Sequence, residues 1–402
     1  MGDREKLTQL PTLPTEIIPE ILAWLEVKPL CRFRCVSKSW NSLISEPGFV
    51  KLHSSKAIEH EQVLRQRHRV MATGERGKVY IFDLNELFDQ VDLDNPEGQV
   101  VVSESESDSI GDSLNDSDSL GTESESDDQL DDDSYDSDDD MHSCLPFYSN
   151  GLVLKYLSNY DKFKLYNPAT RESKVLSKPN SKFLWQNVNQ HKLYGFGFDS
   201  SCLDYKMVCG EYYRYELWFS VYSLKTGSWR VIPRGYDYGA LDLKSNMEGI
   251  VVNGNIHWLV RTKDSASSMV LVSFLVAEEM VRTIPLPPGF NSEGGDYYLT
   301  VFRECLCVAV KGGPEYWIMN EYGVRESWTQ QRMSVPSSRW LHLGFRKNNH
   351  ELVYFDDRQR LVMYNFNEDR FCNLPFCDRP GIKFAAIYVE TIFSLKCYRG
   401  FD

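Results

Sequence analysis

Ten cysteines and eight histidines are the first residues of this 402-residue chain that could carry chemistry. Thiolate and imidazole together could hold a transition metal, and either alone could act as a nucleophile or base. Their spacing favours neither use. Eight of the cysteines fall in the pairs Cys31/Cys35, Cys202/Cys209, Cys305/Cys307 and Cys372/Cys377, with no C-x-x-C. They read as core thiols. Cys305 and Cys307, two apart in an apolar run, should be neighbours on one face of a strand. His257 alternates within NGNIHWLV (253–260) and reads as a core histidine with satisfied hydrogen bonds. The G-x-G of 195–197 stands alone between aromatics and reads as a strand kink rather than a phosphate loop. No Ser/His/Asp spacing or phosphate loop stands out. The expectation is a chain without catalytic residues, metal or cofactor.

A different chemistry is written into residues 103–140, which hold 17 acidic residues and no Lys or Arg. Without them the formal charge moves from −14 to +3, so the acidic balance belongs to an insertion and the rest is near neutral. Such a tract repels itself and lacks apolar residues, so it is expected to be disordered. Ser103, Ser105, Ser109, Ser113, Ser124 and Ser137 each precede an acidic residue by three positions, the arrangement acidophilic kinases prefer. They are candidate phosphorylation sites, although Ser/Asp-rich sequence produces this spacing almost unavoidably. The tract could engage basic partners or be a solvated loop.

The opening MGDREKLTQL has no apolar signal core, and Lys6 stands where a myristoylation motif has Ser or Thr. No run approaches the ~18 apolar residues of a membrane span. Free thiols fit a reducing compartment, so the cytoplasm and/or nucleus is expected, with neither membrane nor nucleic acid as partner.

Two amphipathic segments open the chain. Counted from Pro14, the residues Ile17, Ile18, Ile21, Leu22, Trp24 and Leu25 share an arc of about 160°, opposite Glu16, Glu20 and Glu26. After Val27-Lys28-Pro29, a second arc of about 140° holds Leu30, Phe33, Val36, Trp40, Leu43 and Ile44, and Pro47-Gly48 should end it. Residues 13–50 therefore read as short helices joined by tight turns, with Pro19 making an irregular start. About 40 residues cannot bury both arcs internally. Either the helices pack on the downstream domain, or part of their surface awaits a partner protein.

From residue 66 the texture becomes that of strands. Runs ending near a bulky anchor recur at Tyr80, Tyr166, Tyr222, Phe274, Ile318 and Tyr364. Apart from the interval holding the acidic tract, the spacings are 56, 52, 44 and 46 residues. Hairpins such as GIVVNGNIHWLV (249–260), LTVFRECLCVAV (299–310) and LHLGFRKNNHELVYF (341–355) lie between anchors, making roughly four strands per unit. That pattern predicts a β-propeller of about six blades. FAAIYVETIFSL (384–395) should pair with the first blade and close the ring. The acidic tract should interrupt a hairpin between the segments 83–102 and 144–156.

LPTEIIPEILAWLEVKPLCRFRCVSKSWNSLI (13–44) resembles the F-box, the helical motif that docks on the Skp-type adaptor of cullin-based ubiquitin ligases. The resemblance rests on Leu13-Pro14, Ile21-Leu22 and Val36-Ser37-Lys38-Ser39-Trp40. Downstream, LYNPATRES, VYSLKTGSWRVIP, GIVVNGNIHWLV and IYVETIFSL look like the F-box-associated domain of plant F-box proteins, of the kelch-like and S-locus types. SLKTGSW (223–229) half resembles a turn of sialidase-like propellers, with Lys225 where that motif has Asp.

The implied plan is α+β and multidomain: a tail over 1–10, an all-α F-box over 11–55, and an all-β propeller-like domain over 66–397 carrying the disordered insertion 103–140. The implied function is substrate recognition in an SCF-type ligase, non-catalytic in itself. The adaptor, and through it cullin, would bind one end and an unidentified target the other. Adaptor contacts would come from Leu13, Pro14, Ile17, Ile21, Leu22, Leu25, Val27, Lys28, Leu30, Arg32, Val36, Ser37, Lys38 and Trp40, with Arg34 among the steering charges. Trp185, Tyr212, Tyr213, Tyr236 and Tyr238 are candidates for the target surface unless they pack between blades. The alternative is an acidic protein-binding scaffold without a ligase role.

Overall fold

A computed structural model describes residues 16–73, 79–83, 147–157, 162–176, 192–242, 247–263, 268–290, 295–310, 313, 315–332, 341–346, 351–355, 361–365, 370–373 and 384–396. The acidic tract with its six serines, Leu13, Pro14 and Trp185 lie outside these residues.

Five helices come first: α1 (Ile17–Leu22), α2 (Val27–Arg34), α3 (Lys38–Ser45), α4 (Pro47–Glu59) and α5 (Glu61–Arg67). Pro19 falls in the first turn of α1, where its missing N–H would have had no helical partner, so it breaks nothing. The second apolar arc is not one helix. Cys35–Ser37 interrupts it, and the Ser37 hydroxyl caps α3 by accepting from the Trp40 N–H at 3.2 Å. The helix does end before Pro47-Gly48, at Ser45, as expected. Pro47 is also the first residue of a further helix, α4, with extended Glu46 as its cap, because proline fits the opening of a helix.

Strands follow to the end. The first blade takes β1 (His68–Thr73) and β2 (Val79–Asp83). The second has β3 (Phe147–Ser149), β4 (Leu152–Leu157), β5 (Lys162–Asn167) and β6 (Glu172–Leu176). The third has β7 (Lys192–Asp199), β8 (Asp204–Tyr213), β9 (Glu216–Ser223) and β10 (Ser228–Val231), with the short β11 (Tyr236–Asp237) added against β9. The fourth comprises β12 (Leu241–Asp242), β14 (Ile250–Val252), β15 (Asn255–Thr262), β16 (Met269–Leu275) and β17 (Met280–Ile284), while β13 (Met247–Glu248) joins β7 in parallel. The fifth is β18 (Tyr297–Phe302), β19 (Cys305–Val310), β20 (Glu315–Met319) and β21 (Trp328–Arg332). The sixth is β22 (Leu341–Arg346), β23 (Glu351–Phe355), β24 (Leu361–Asn365) and β25 (Arg370–Asn373).

Five sheets thus have four or more strands, and a three-stranded sheet of order β2-β1-β26 completes the set, with β26 spanning Phe384–Val389. Neighbouring sheets touch through β26 and β3, β3 and β7, β7 and β15, β15 and β18, β18 and β22, and β22 and β26. The six sheets therefore form a closed ring, a β-propeller. β26 pairs with β1 over six residue pairs from His68↔Val389 to Thr73↔Phe384, so the two ends of the domain share one blade. Closure of this kind leaves no open sheet edge at the seam.

All six anchors occupy equivalent places. Tyr80, Tyr166, Tyr222, Phe274, Ile318 and Tyr364 lie on β2, β5, β9, β16, β20 and β24, the third strand outward in each blade. The hairpin expected around the acidic tract, between the segments 83–102 and 144–156, lies largely outside the described residues; among those described, β2 pairs with β1 and β3 with β4.

Aromatic and branched side chains fill the inter-blade spaces. Trp258 on β15 is fully buried and donates its indole N–H to the Tyr194 carbonyl of the preceding blade at 2.9 Å. A Cβ on Gly195 would come within 2.9 Å of that ring and one on Gly249 within 2.7 Å. The G-x-G of 195–197 is thus regularly paired strand with room for a neighbouring indole, not a kink. Cys305 and Cys307 do share a face, packed with Phe302, Tyr316 and Tyr364 between the fifth and sixth blades.

One inter-blade contact is ionic. Lys206 Nζ, buried on β8, lies 2.7 Å from Asp199 Oδ2 and 2.9 Å from both Glu279 Oε1 and the Val276 carbonyl of the fourth blade. Arg230 also pairs with Glu279. Against the cost of its own burial, hydrogen bonds from Lys206 and Ser201 and the Lys206 charge hold the Asp199 carboxyl well below the usual range. Lys206→Met would leave two inward carboxylates without their shared cation. The expected destabilisation is about 3 kcal/mol, read as a lowered urea midpoint at unchanged slope. An unchanged midpoint would show that Arg230 alone satisfies the pair.

Candidate docking site

The helices present two different surfaces. Leu22, Ala23, Val27, Leu30, Ile44 and Phe49 are buried together with Ile392, which lies beyond β26. Ile18, Leu25, Phe33, Trp40 and Leu43 pack partly against this core, as does Ala169 at the β5–β6 turn. The inward arcs therefore bury against one another and against the propeller's C-terminal tail. Leu22, Val27 and Leu30, read from sequence as adaptor contacts, supply this internal packing, and Leu25 and Trp40 are largely committed to it.

The outward surface keeps apolar residues in the open. Ile17, Ile21 and Trp24 follow a spacing of four and three along α1 and remain 44%, 48% and 45% exposed. Val36, at the turn between α2 and α3, is 68% exposed. The sequence count ran one helical period through that turn and so put Val36 in one arc with Leu30 and Ile44, which are buried. Lys28, Arg32, Ser37 and Lys38 are also exposed. Arg34 is not a free steering charge, because its Nη2 donates to the Ile392 carbonyl at 3.0 Å. Trp24 is held in place by the His60 ring, 4.6 Å centroid to centroid, and by the Lys56 ammonium 5.2 Å from its ring. Lys56 also pairs with Glu20 at 3.4 Å.

A buried polar junction fixes this unit to the ring. Arg67, the last residue of α5, is fully buried. Its Nη2 donates to the carbonyls of Ala23 at 2.6 Å and Leu25 at 3.0 Å, and its Nη1 to the His53 carbonyl at 2.6 Å. Nη1 also lies 3.2 Å from His53 Nδ1. A guanidinium only donates, so Nδ1 must accept and the ring proton sits on Nε2, which donates to the Leu25 carbonyl at 3.0 Å. Burial, and then the Arg67 charge, lowers the His53 pKa to about 3. Burial also lowers Arg67, to about 10, leaving it cationic at neutral pH. One residue pair on, Arg69 bridges Glu26 at 3.3 Å, Asp83 at 3.0 Å and Glu390 at 3.5 Å.

The tail completes the junction. Glu390 N–H donates to the Arg67 carbonyl at 3.0 Å. Asn167 Nδ2 donates to the carbonyls of Thr391 at 3.1 Å and Phe393 at 2.7 Å, while Leu395 N–H donates to Glu172 at 2.6 Å. Helices, tail and second blade are thereby one continuous hydrogen-bonded body. Sequence reading missed Arg67 altogether, since nothing in RQRHRV (65–70) distinguishes it from the arginines beside it.

On the propeller, Tyr236 and Tyr238 are packed between blades. Tyr236 Oη accepts from the Val281 N–H at 3.3 Å, and Tyr238 Oη lies 3.4 Å from Thr283 Oγ1. Tyr212 donates to the Gly239 carbonyl at 2.7 Å. The exposed aromatic of this blade is Tyr215, which with Arg214 forms the β8–β9 turn in left-handed conformation. A recess of about 290 Å³ lies among the turns of the third to fifth blades, lined by Asn253, Asn255, Glu278, Arg282 and Tyr322 among others. His257 is buried beside it, with Nε2 2.7 Å from Tyr322 Oη, a satisfied core histidine.

Among the described residues no group of three His, Cys, Asp or Glu side chains is placed to hold a metal ion. Burial raises the thiols of Cys31, Cys202, Cys305 and Cys307, away from the nucleophilic thiolate. No described helix is long and apolar enough to cross a membrane.

Comparison with known proteins matches residues 10–52 to the F-box domain and residues 100–377 to the F-box associated beta propeller domain. An F-box/kelch-repeat protein of Arabidopsis thaliana is 26% identical over 399 residues, covering 95% of each chain. The F-box protein CPR1 of the same plant is 25% identical over 415 residues, covering 95% of this chain and 88% of its own. Among solved structures, the Cps50 (Swd1) β-propeller domain of Myceliophteria thermophila aligns at 10% identity and a TM-score of 0.33, covering 56% of this chain and 65% of that one. The propeller assignment rests on the six sheets themselves. The chain belongs to the family of F-box proteins that carry an F-box-associated β-propeller domain.

Proposed function

We propose that this protein is the substrate-recognition subunit of an SCF-type ubiquitin ligase, acting without chemistry of its own in the cytoplasm or nucleus. The outward face of its first three helices docks on a Skp-type adaptor, and the propeller holds a target protein for ubiquitin transfer by other subunits. The observation that carries this reading is the division of the F-box helices. Their inward apolar residues are satisfied by Ile392 and the tail, whereas Ile17, Ile21, Trp24 and Val36 are large, apolar and uncovered. A folded unit that leaves such residues open after completing its core is built to bury them in a partner. Exposed Lys28, Arg32 and Lys38 support steering toward an acidic surface, which acts mainly on association rate.

Purified protein carrying Ile21→Asp and Val36→Asp should bind a Skp-type adaptor at least about 100-fold more weakly in titration calorimetry, because two charges enter an apolar interface. Its melting temperature should be unchanged, since both side chains are exposed in the free protein. Undiminished binding by the double variant would sink the reading. It would favour the scaffold alternative, in which the acidic tract rather than the helices recruits partners.

A further inference from the structure

Two lysines lie directly opposite one another on the second blade. Lys155 on β4 is in register with Lys164 on β5, which is in register with Val175 on β6. Directly opposed like charges destabilise a sheet, and Val175 beside them is 55% exposed. Lys162, also exposed, adds a third cation two residues along β5. Among the described residues neither Lys155 nor Lys164 has an ion-pair partner.

This row faces the first blade. One step along the strands, Tyr148, Val153 and Tyr166 form the adjacent row, and Val153 packs with Met71, Ile81 and Tyr388 of that blade. Beyond β2 the chain continues for 63 residues to β3, and the acidic tract lies within that stretch. It rejoins the fold beside the lysines: Phe147, the first residue of β3, pairs with Leu154, the neighbour of Lys155. Asp140 is only seven residues before Phe147, so it cannot stray more than about 24 Å from that point. Seven of the 17 acidic residues fall in 131–140.

We propose that the Lys155–Lys164–Val175 face of the second blade is a docking surface for acidic segments, and that residues 131–140 of the same chain occupy it. The unbalanced cross-strand pair supplies the positive site, and the point of re-entry fixes the occupant at high local concentration. A tether this short gives an effective concentration on the order of 1 mM. Exposed charge pairs are weak singly, so occupancy depends on several carboxylates acting together and falls with salt. The tract thereby screens the face from acidic segments of other proteins.

Zero-length carbodiimide cross-linking of the full chain tests this directly. At low salt, Lys155, Lys162 or Lys164 should join Asp131–Asp140 within single molecules, and the products should vanish at about 1 M NaCl. Equal yields at exposed lysines elsewhere would overturn the proposal, as would links found only between isotopically distinct copies. A labelled peptide of residues 129–142 supplies a second arm. It should bind a chain lacking 103–140 about tenfold more tightly than the full chain, given an intrinsic Kd on the order of 0.1 mM against that tether. It should lose binding to the same deletion carrying Lys155→Glu and Lys164→Glu. Equal binding to all three overturns the proposal, and the cross-linking arm, which uses the native chain, stands even if the lysine variant misfolds.

Discussion

Arg67→Met will destabilise the chain by about 3–5 kcal/mol, the range for removing one partner of a buried charged network. The guanidinium is the common donor to the carbonyls of Ala23 and Leu25, on the α1–α2 connection, and of His53 on α4, and so ties both segments to the end of α5. Methionine fills similar volume and donates nothing, so those carbonyls become buried acceptors with fewer partners. Arg67→Lys should fall between, because an ammonium cannot serve that set with the planar geometry of the fork. Thermal unfolding by calorimetry gives the stability loss. Hydrogen exchange locates it, with amides of α1, α2 and α4 losing protection before those of β8, β9 and β15. A uniform loss over both regions would mean that Arg67 supports the ring itself rather than the junction. On the proposed ligase role the corollary is geometric: such a subunit would have to present its target at a fixed offset from its adaptor, and Arg67 would be one of the residues that hold that offset.

Much of this architecture was readable before any coordinates. The six anchors fell on equivalent strands because a third strand followed by a polar turn leaves the same mark in every blade: an apolar run with a bulky residue near its end, then a polar turn within a few residues. Ring closure was readable too, since a strand-like terminal segment without a following hairpin has to pair somewhere. What escaped was of two kinds. The break at Cys35–Ser37 and the start of α4 at Pro47 escaped because helical periodicity was counted across residues that serve equally to end one helix and begin another. Arg67, Lys206 and the Lys155–Lys164 pair escaped because their meaning lies in partners 40 to 70 residues away or on a neighbouring strand, and charge in a sequence does not announce its own burial. The docking face itself was half legible. Periodicity found the apolar residues of the helices, but only packing against Ile392 separates those that face inward from Ile17, Ile21 and Trp24.

Acid will weaken the fold well above the usual carboxylate range, and two buried histidines, His53 at the junction and His257 in the propeller, will contribute most of that loss. His53 and His257 are buried and neutral, with burial as the first cause in each case, and their pKa values are lowered to about 3 and about 4. In the unfolded chain both titrate near 6.5. Their contribution is therefore complete above pH 6.5 and is lost as pH falls from there toward the folded values, because the unfolded state takes up protons the folded state refuses. Two such protons give a slope of up to about 2.7 kcal/mol per pH unit near pH 5. Glu390 works against this. Burial raises its pKa despite Arg69, so it gains a proton in the folded state first and adds some stability on acidification. Asp199, held low, stabilises fully above its unfolded pKa and loses that contribution only below it, so it adds no slope in this window. Urea midpoints at pH 7, 6 and 5 should therefore fall progressively. His257→Gln should remove about half the slope while leaving the junction intact. Arg67→Met should flatten it as well, for a different reason: without the adjacent guanidinium, His53 can accept its proton in the folded state. A midpoint that stays level from pH 7 to pH 5 would mean the two imidazoles are hydrated and free to ionise. If instead Arg67→Met lowers stability but leaves the slope unchanged, the guanidinium holds the carbonyls of Ala23 and Leu25 without governing His53.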